Sequence, residues 1–308
     1  MSKKFIPPTR EECISALCLE DIPKTLQSYP QFFSGIPKPK KNDWLSTHDE
    51  KRENYDMWFS NYTPKQGVVY LQPINNISIP LDKLVEFVGL FYPNTTITTL
   101  PTLFIQNKTI TVTKQTTRRQ TSTTLTLRWR HCHAYDTEKV TKKQHEQGQY
   151  SIPSLITVLR RVMPRDTKYI IGVTMEDLYH TKTDSFAVGI AMRNMGIGIF
   201  SFHRYTPPIS DNNRASILLQ RSCKVLVHEL AHLFGMLHCV WYTCCMNGST
   251  TLEEDYKQPL HFCPVCLRKL QNITGCDLKE RYINLLRFYT ENSFLLEAKW
   301  QKELLALL

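Results

Sequence analysis

The sequence predicts a mixed α/β chain, with a partly parallel, twisted sheet covered by helices and a helical C-terminal lobe. Three patterns carry that expectation. β-Prone runs alternate with amphipathic helical runs over residues 68–174, an order that calls for crossover connections and parallel pairing. A long helix with an apolar stripe follows, built from Ile217, Leu218, Leu219, Val225, Leu226 and Leu230, and two further amphipathic runs end the chain. The 308 residues, 42% of them apolar, supply enough core for one large domain or two smaller lobes.

Taken in order, residues 1–65 are polar and proline-spotted, and read as an extension wrapped on the core with short helices over 11–19 and 50–59. The main domain is placed at 66–308, with an upper lobe of about 66–235 and a lower lobe of about 236–308. Its first strand is 68–74, followed by a helix over 81–92 with Leu84, Val85 and Val88 on its inner face, and a second strand over 97–104. The alternation over 121–130 reads as a solvated hairpin with charge on one face and Trp129 on the other. A helix over 151–162 is stopped by Pro164, and 169–174 is the next strand. Two runs, 187–192 and 197–202, then meet at a turn near Asn194. Either one is the antiparallel edge strand bordering a cleft, where a peptide could pair by strand addition, or both are core strands. In the lower lobe, 280–289 and 294–307 place Leu285, Leu286, Leu295, Leu296, Leu304 and Leu305 at helical spacing.

The chemistry is carried by residues 228–238, which spell HExxHxxGxxH. Residues four apart share one face of a helix, so His228 and His232 can offer ring nitrogens to one ion. Gly235 can adopt the left-handed conformation that ends a helix and lets the chain return with His238 as third ligand. Three protein ligands leave the fourth position of a tetrahedral zinc to water. Glu229, next to the first ligand, is placed to take a proton from that water, and zinc adds acidity and polarises a scissile carbonyl. The pattern is the metzincin signature of metal-assisted amide hydrolysis.

Beyond His238, Cys239 is followed by four residues and then Cys244, Cys245 and Met246; sixteen residues separate Met246 from Cys263-Pro264-Val265-Cys266. This arrangement resembles the archaemetzincin family. Further matching text lies at Asp43-Trp44-Leu45, near Phe59, over 196–205, over 263–270 and at Glu280-Arg281-Tyr282, while 102–149 contributes none. The resemblance implies a metzincin-like zincin fold and a zinc metallopeptidase. In it His228, His232 and His238 hold a catalytic zinc, Glu229 is the general base, and Met246 is the methionine of the turn beneath the site. It also implies a second, structural zinc on Cys239, Cys244, Cys263 and Cys266, giving two Zn2+ per chain. By spacing alone Cys245 competes with Cys244.

Disulfides and a redox CxxC are the competing readings of those cysteines. The opening residues, Met1 to Pro8, carry charge and proline where a secretory signal needs an apolar core, so a cytoplasmic or nuclear, reducing setting is expected and thiols stay available to metal. In that setting the six Asn-x-Ser/Thr sequons, Asn247 among them, are by-products of a threonine-rich chain. No apolar run is long enough to span a membrane. The formal charge of +10 and the basic tract 108–143 raise nucleic-acid binding, but the tract lacks its pattern and reads as a solvated face; its His131 and His133 have no ligand partners nearby. His203, Arg204 and Tyr205 are read as structural, with a capacity to steady a carboxylate or oxyanion. The expected function is peptide hydrolysis by a monomeric enzyme without nucleic-acid or membrane partners; the alternative is a zinc-stabilised scaffold that does not turn over.

Overall fold

The computed structural model describes residues 5–19, 32–115, 120–131, 148–207 and 213–308. In the extension, α1 (Arg10–Ser15) opens on a capping box: Thr9 accepts from the Glu12 N–H, and the Glu12 carboxylate accepts from the Thr9 N–H. It ends before residue 19, since Ala16 is already the cap and Cys18 has a φ of 54°. A short α2 (Trp44–Thr47) follows, then α3 (Tyr55–Asn61), whose N-cap Asn54 accepts from the Met57 N–H. The helix expected over 50–59 therefore starts five residues late, because the cap sits at Asn54 and the side chains of Glu50 and Glu53 bond distant partners instead.

β1 (Val68–Ile74), α4 (Leu81–Phe91) and β2 (Ile97–Thr99) form a parallel crossover unit. β2 is shorter than the run 97–104. Pro101 has no N–H to continue the ladder, and its carbonyl instead accepts from Gln72 Nε2 at 2.8 Å. β3 (Thr109–Gln115) and β4 (Gln120–Thr126) make an antiparallel hairpin with exposed hydroxyl pairs Thr111–Thr124 and Thr113–Ser122, each at 3.0 Å. The alternation over 121–130 is thus split between two sheets. After the buried Leu127 the chain enters β5 (Trp129–His131), which pairs with β6 (Gly148–Ser151), so Trp129 is outside the hairpin. The remaining elements of this part are α5 (Ile152–Val162), β7 (Thr167–Thr174), β8 (Asp177–Tyr179), β9 (Gly189–Met192), β10 (Ile197–Ser201) and α6 (Arg214–Leu233).

The main sheet has the order β2-β1-β7-β10-β9, with every pairing parallel except that of β9, the antiparallel edge strand, to β10. β10 is buried at all five positions because both faces are covered. Leu155, Val158 and Leu159 of α5 pack on Ile170, Ile197 and Ile199 of the sheet. Gly172, in the middle of β7, makes that approach possible: a Cβ there would stand 2.8 Å from Ile199 Cδ1 and 3.0 Å from Leu159 Cδ1. The partly parallel sheet with helices on it is the architecture that the alternation of runs predicts.

Two compact units divide the described residues. The sheet, α5 and α6 belong to the unit of Lys65–Glu86 and Thr95–Leu233. The other comprises Met1–Pro64, Phe87–Asn94 and Phe234–Leu308, and contains α7 (Leu252–Tyr256), α8 (Pro264–Thr274), α9 (Leu278–Glu291) and α10 (Leu295–Leu305). Its core is aromatic, with Phe87 against Phe288 at 5.2 Å and Phe91 edge-on to Phe262 at 4.9 Å between ring centroids. None of the described helices is long and apolar enough to cross a membrane.

Gly172→Val is expected to lower stability by about 1–3 kcal/mol through overpacking between β7, β10 and α5. A thermal melt of the variant that overlays the parent would show that α5 does not press on Gly172.

Candidate metal centre

α6 is buried from Ser222 through Val227, but His228, Glu229 and His232 are half-buried, so the motif residues form the open face of a covered helix. The helix packs on β10 and β9. His228 and His232, one turn apart, bring their Nε2 atoms to 3.0 Å with rings edge to face at 79°. Two nitrogens at about 2.0–2.1 Å from a tetrahedral zinc stand roughly 3.3–3.4 Å apart, so the pair fits one ion with a small adjustment. α6 ends at Leu233, and Gly235 has a φ of 89°, the left-handed conformation that turns the chain out of the helix.

His238 lies in the second unit, where its Nδ1 is 2.7 Å from Glu50 Oε1. The same oxygen accepts from Trp44 Nε1 at 2.6 Å, and the Trp44 ring meets His238 edge-on at 5.0 Å. Burial works against ionising Glu50. The hydrogen bonds from His238 and Trp44 outweigh it and hold the carboxyl below its ordinary value.

Cys239, Cys244, Cys263 and Cys266 are buried free thiols of that unit whose sulfurs all lie within 4.8 Å of one another. Cys239 and Cys263 Sγ are 3.6 Å apart, too far for a disulfide and close to the roughly 3.8 Å expected of thiolates at ~2.3 Å from a tetrahedral zinc. Cys244 Sγ also accepts from the N–H groups of Met246 at 3.4 Å and Cys263 at 3.2 Å. Cys245 is not in the group; its N–H goes to the His261 carbonyl. Hydrogen bonds from Cys244, Cys263 and Cys266 hold the Cys239 thiol well below its ordinary value, whereas burial pushes Cys244 and Cys263 up. Four sulfurs this close together, buried from water, can all be thiolates only around a cation. The donor set fits zinc.

Lys269, on α8, is almost fully buried and donates to Glu53 Oε2 at 2.7 Å. Burial works to lower its pKa, but Cys266 and Glu53 outweigh it and raise it, so a fixed cation faces the sulfur group. The same Glu53 oxygen accepts from the Leu237 N–H at 3.3 Å, and the Glu53 carbonyl accepts from Trp241 Nε1 at 2.9 Å. Glu50, Glu53 and Lys269 were not singled out by the sequence. Glu50 and His238 are 188 residues apart, and no spacing rule reaches that far.

Other residues marked in the sequence have structural partners. Arg204 holds the buried carboxylate of Asp177, through Nε at 2.9 Å and a terminal nitrogen at 2.7 Å, and Gln149 Nε2 donates to Asp177 at 2.9 Å. His203 Nδ1 faces the Met175 carbonyl at 3.2 Å, and Tyr205 is buried. Met246 is fully buried and its carbonyl accepts from the Cys239 N–H at 2.7 Å. Asn247 is buried with its amide committed to the Cys239 and Tyr242 carbonyls, an arrangement with no room for a glycan. Arg118, Arg119, His133 and the rest of the basic tract over 132–143 lie outside the described residues.

Comparison with known proteins gives the same direction. The model of Peptidase family M54 matches residues 133–272. Archaemetzincin-2 of Macaca fascicularis is 30% identical over 309 aligned residues, spanning 88% of this chain and 78% of its own length. The chain belongs to the archaemetzincin family. Archaemetzincin-2 of Rattus norvegicus is 29% identical over the same shares of the two chains. A solved archaemetzincin from Methanopyrus kandleri is 24% identical, with a TM-score of 0.46 over 68% of this chain and 97% of its own. Membership makes this chain a zinc metallopeptidase, a hydrolase whose substrates are peptides or proteins.

Cys263→Ser and Cys266→Ser are each expected to lower soluble yield and melting temperature, because metal binding at a buried thiolate set is part of the folding free energy. Variants that melt with the parent and keep its zinc would remove the cysteines from any metal site.

Proposed function

We propose that peptide hydrolysis is carried by Glu229 as general base, with His228, His232 and His238 holding the catalytic zinc. A second zinc on Cys239, Cys244, Cys263 and Cys266 is structural. The observation that carries the reading is the convergence of the His228 and His232 Nε2 atoms at 3.0 Å, with Glu229 beside them on the only open stretch of an otherwise buried helix segment, 222–233, among the described residues.

When bound, zinc supplies acidity to water and polarises the scissile carbonyl. The protein supplies the rest. The Glu229 carboxylate accepts the proton of the attacking water and returns it to the leaving amine. A half-buried position suits both acts, since the group stays reachable by water and its charge is less screened than on the surface. The packing of α6 on β9 and β10 puts the open edge of the sheet beside the same helix, and an extended peptide paired with β9 would be held in register with the motif. Met246, soft and fully buried, is read as the methionine of the turn. The thiolate set requires the reducing conditions of the cytoplasm or nucleus.

Two zinc ions per chain of unequal exchangeability are expected. A three-histidine site keeps an open position and should yield its metal to a chelator first, while the closed four-cysteine site should resist. One zinc per chain in a metal assay would count against the second site.

Glu229→Gln separates enzyme from scaffold. Glutamine keeps the size of the side chain but cannot take the proton, so zinc content and melting should persist while cleavage of a peptide pool falls by about 10²–10⁴. Equal cleavage by parent and variant would falsify the general-base assignment. No cleavage by either, with zinc present in both, would favour the scaffold.

A further inference from the structure

We propose that Glu50, from the N-terminal extension, is a positioning residue for the third histidine: it fixes the tautomer and ring plane of His238, so that Nε2 presents its lone pair to the metal. The proposal rests on the reading of His238 as a zinc ligand. Its warrant is the geometry around one oxygen. Glu50 Oε1 accepts from Trp44 Nε1, which can only donate, at 2.6 Å, and stands 2.7 Å from His238 Nδ1. As a carboxylate, Glu50 can only accept, so the proton of the second contact is on the imidazole: Nδ1 is the protonated nitrogen and Nε2 the ligand atom. A neutral imidazole free to choose would divide between two tautomers, of which only this one suits ligation through Nε2.

The ring is fixed from more than one side. Trp44 packs edge-on against His238 and stacks on His48 at 3.6 Å and 1°, while its backbone N–H is tied to Glu254 at 2.9 Å, so the residue that aims Glu50 is itself held. Three residues on, Glu53 accepts from the N–H of Leu237, next to the histidine, and from the buried Lys269. The side chains of His238 and Glu50 are only 21% and 16% exposed, so water competes weakly for their hydrogen bond. A carboxylate behind a metal-binding histidine also increases the basicity of the ligating nitrogen, and losing such a partner typically costs about 10–100-fold in metal affinity. The extension therefore forms part of the metal centre.

The test uses the full chain with zinc as probe. Affinity of the histidine site is measured by chelator competition in the parent, Glu50→Gln, Glu50→Ala and, for reference, His232→Ala, with thiol reactivity reporting the cysteine-held zinc. After mild chelation that empties only the histidine site, the 15N signals of His238, assigned by their loss in His238→Gln, report the tautomer. The parent should show the Nδ1–H form. Glu50→Ala should show a mixture and bind zinc about 10–100-fold more weakly, with melting temperature and thiol protection unchanged. Glu50→Gln, which keeps an acceptor without the charge, should fall between. Parent-like tautomer and an affinity within twofold in Glu50→Ala would overturn the proposal. So would loss of thiol protection in that variant, which would make Glu50 a general support of the fold. If His232→Ala binds as much zinc as the parent, the histidine site itself fails, and the proposal with it, in a variant that leaves Glu50 untouched.

Discussion

Cys239 follows His238 directly, so whatever fixes the sulfur of one also limits the backbone of the other. The loop from Cys239 to Asn247 is fixed many times over. Its ends are joined by the bond from the Cys239 N–H to the Met246 carbonyl, and Asn247 reaches back to two carbonyls while its own oxygen accepts from the Cys244 N–H at 2.8 Å. Cys263 and Cys266, at the start of α8, close the four-sulfur group from the other side. Buried thiols packed this closely resist both solvation and separate ionisation, and the proposed structural zinc would relieve both while tying the loop to α8.

The buried pair of Lys269 and Glu53 belongs to the same constraint. Such a pair is weak evidence of stability by itself, because desolvating both charges costs about what their attraction returns. Its value here is connective. One carboxylate oxygen meets α8 through Lys269 and the backbone at Leu237, and the carbonyl of the same residue holds the Trp241 indole. A segment that looks from its composition like a loose wrap thereby engages the loop on either side of Cys239.

The legible parts of this structure are those governed by local periodicity. The runs behind β1, α4, α5, β7 and α9 are continuous patterns of period two or 3.6, and the folded elements follow them within a few residues. The HExxH pair was legible because four residues make one helical turn. Where the pattern misled, a nonlocal event intervened: Pro101 cut a strand, and the chain changed sheets between Thr126 and Trp129 without interrupting the alternation. The choice of Cys244 over Cys245 is invisible to spacing, since it depends on which of two neighbouring side chains faces α8. Glu50 and Glu53 lay in a stretch with helical character, and only the contacts they make with residues 237, 238 and 269 distinguish them from ordinary surface carboxylates.

The antiparallel edge strand, β9, spans four residues, Gly189–Met192. An exposed edge is a hazard as well as an opportunity, because any extended segment can pair with its unused amides, including one from another copy of the protein. Brevity limits that hazard. At about 3.4 Å per residue the edge offers roughly 14 Å of ladder, enough for one or two pairs of backbone hydrogen bonds. A visiting chain cannot be retained on backbone pairing alone, and its residence must depend on what its side chains find beyond the ladder. A short edge therefore favours release, so that stickiness toward unfolded chains in general is traded for discrimination among them.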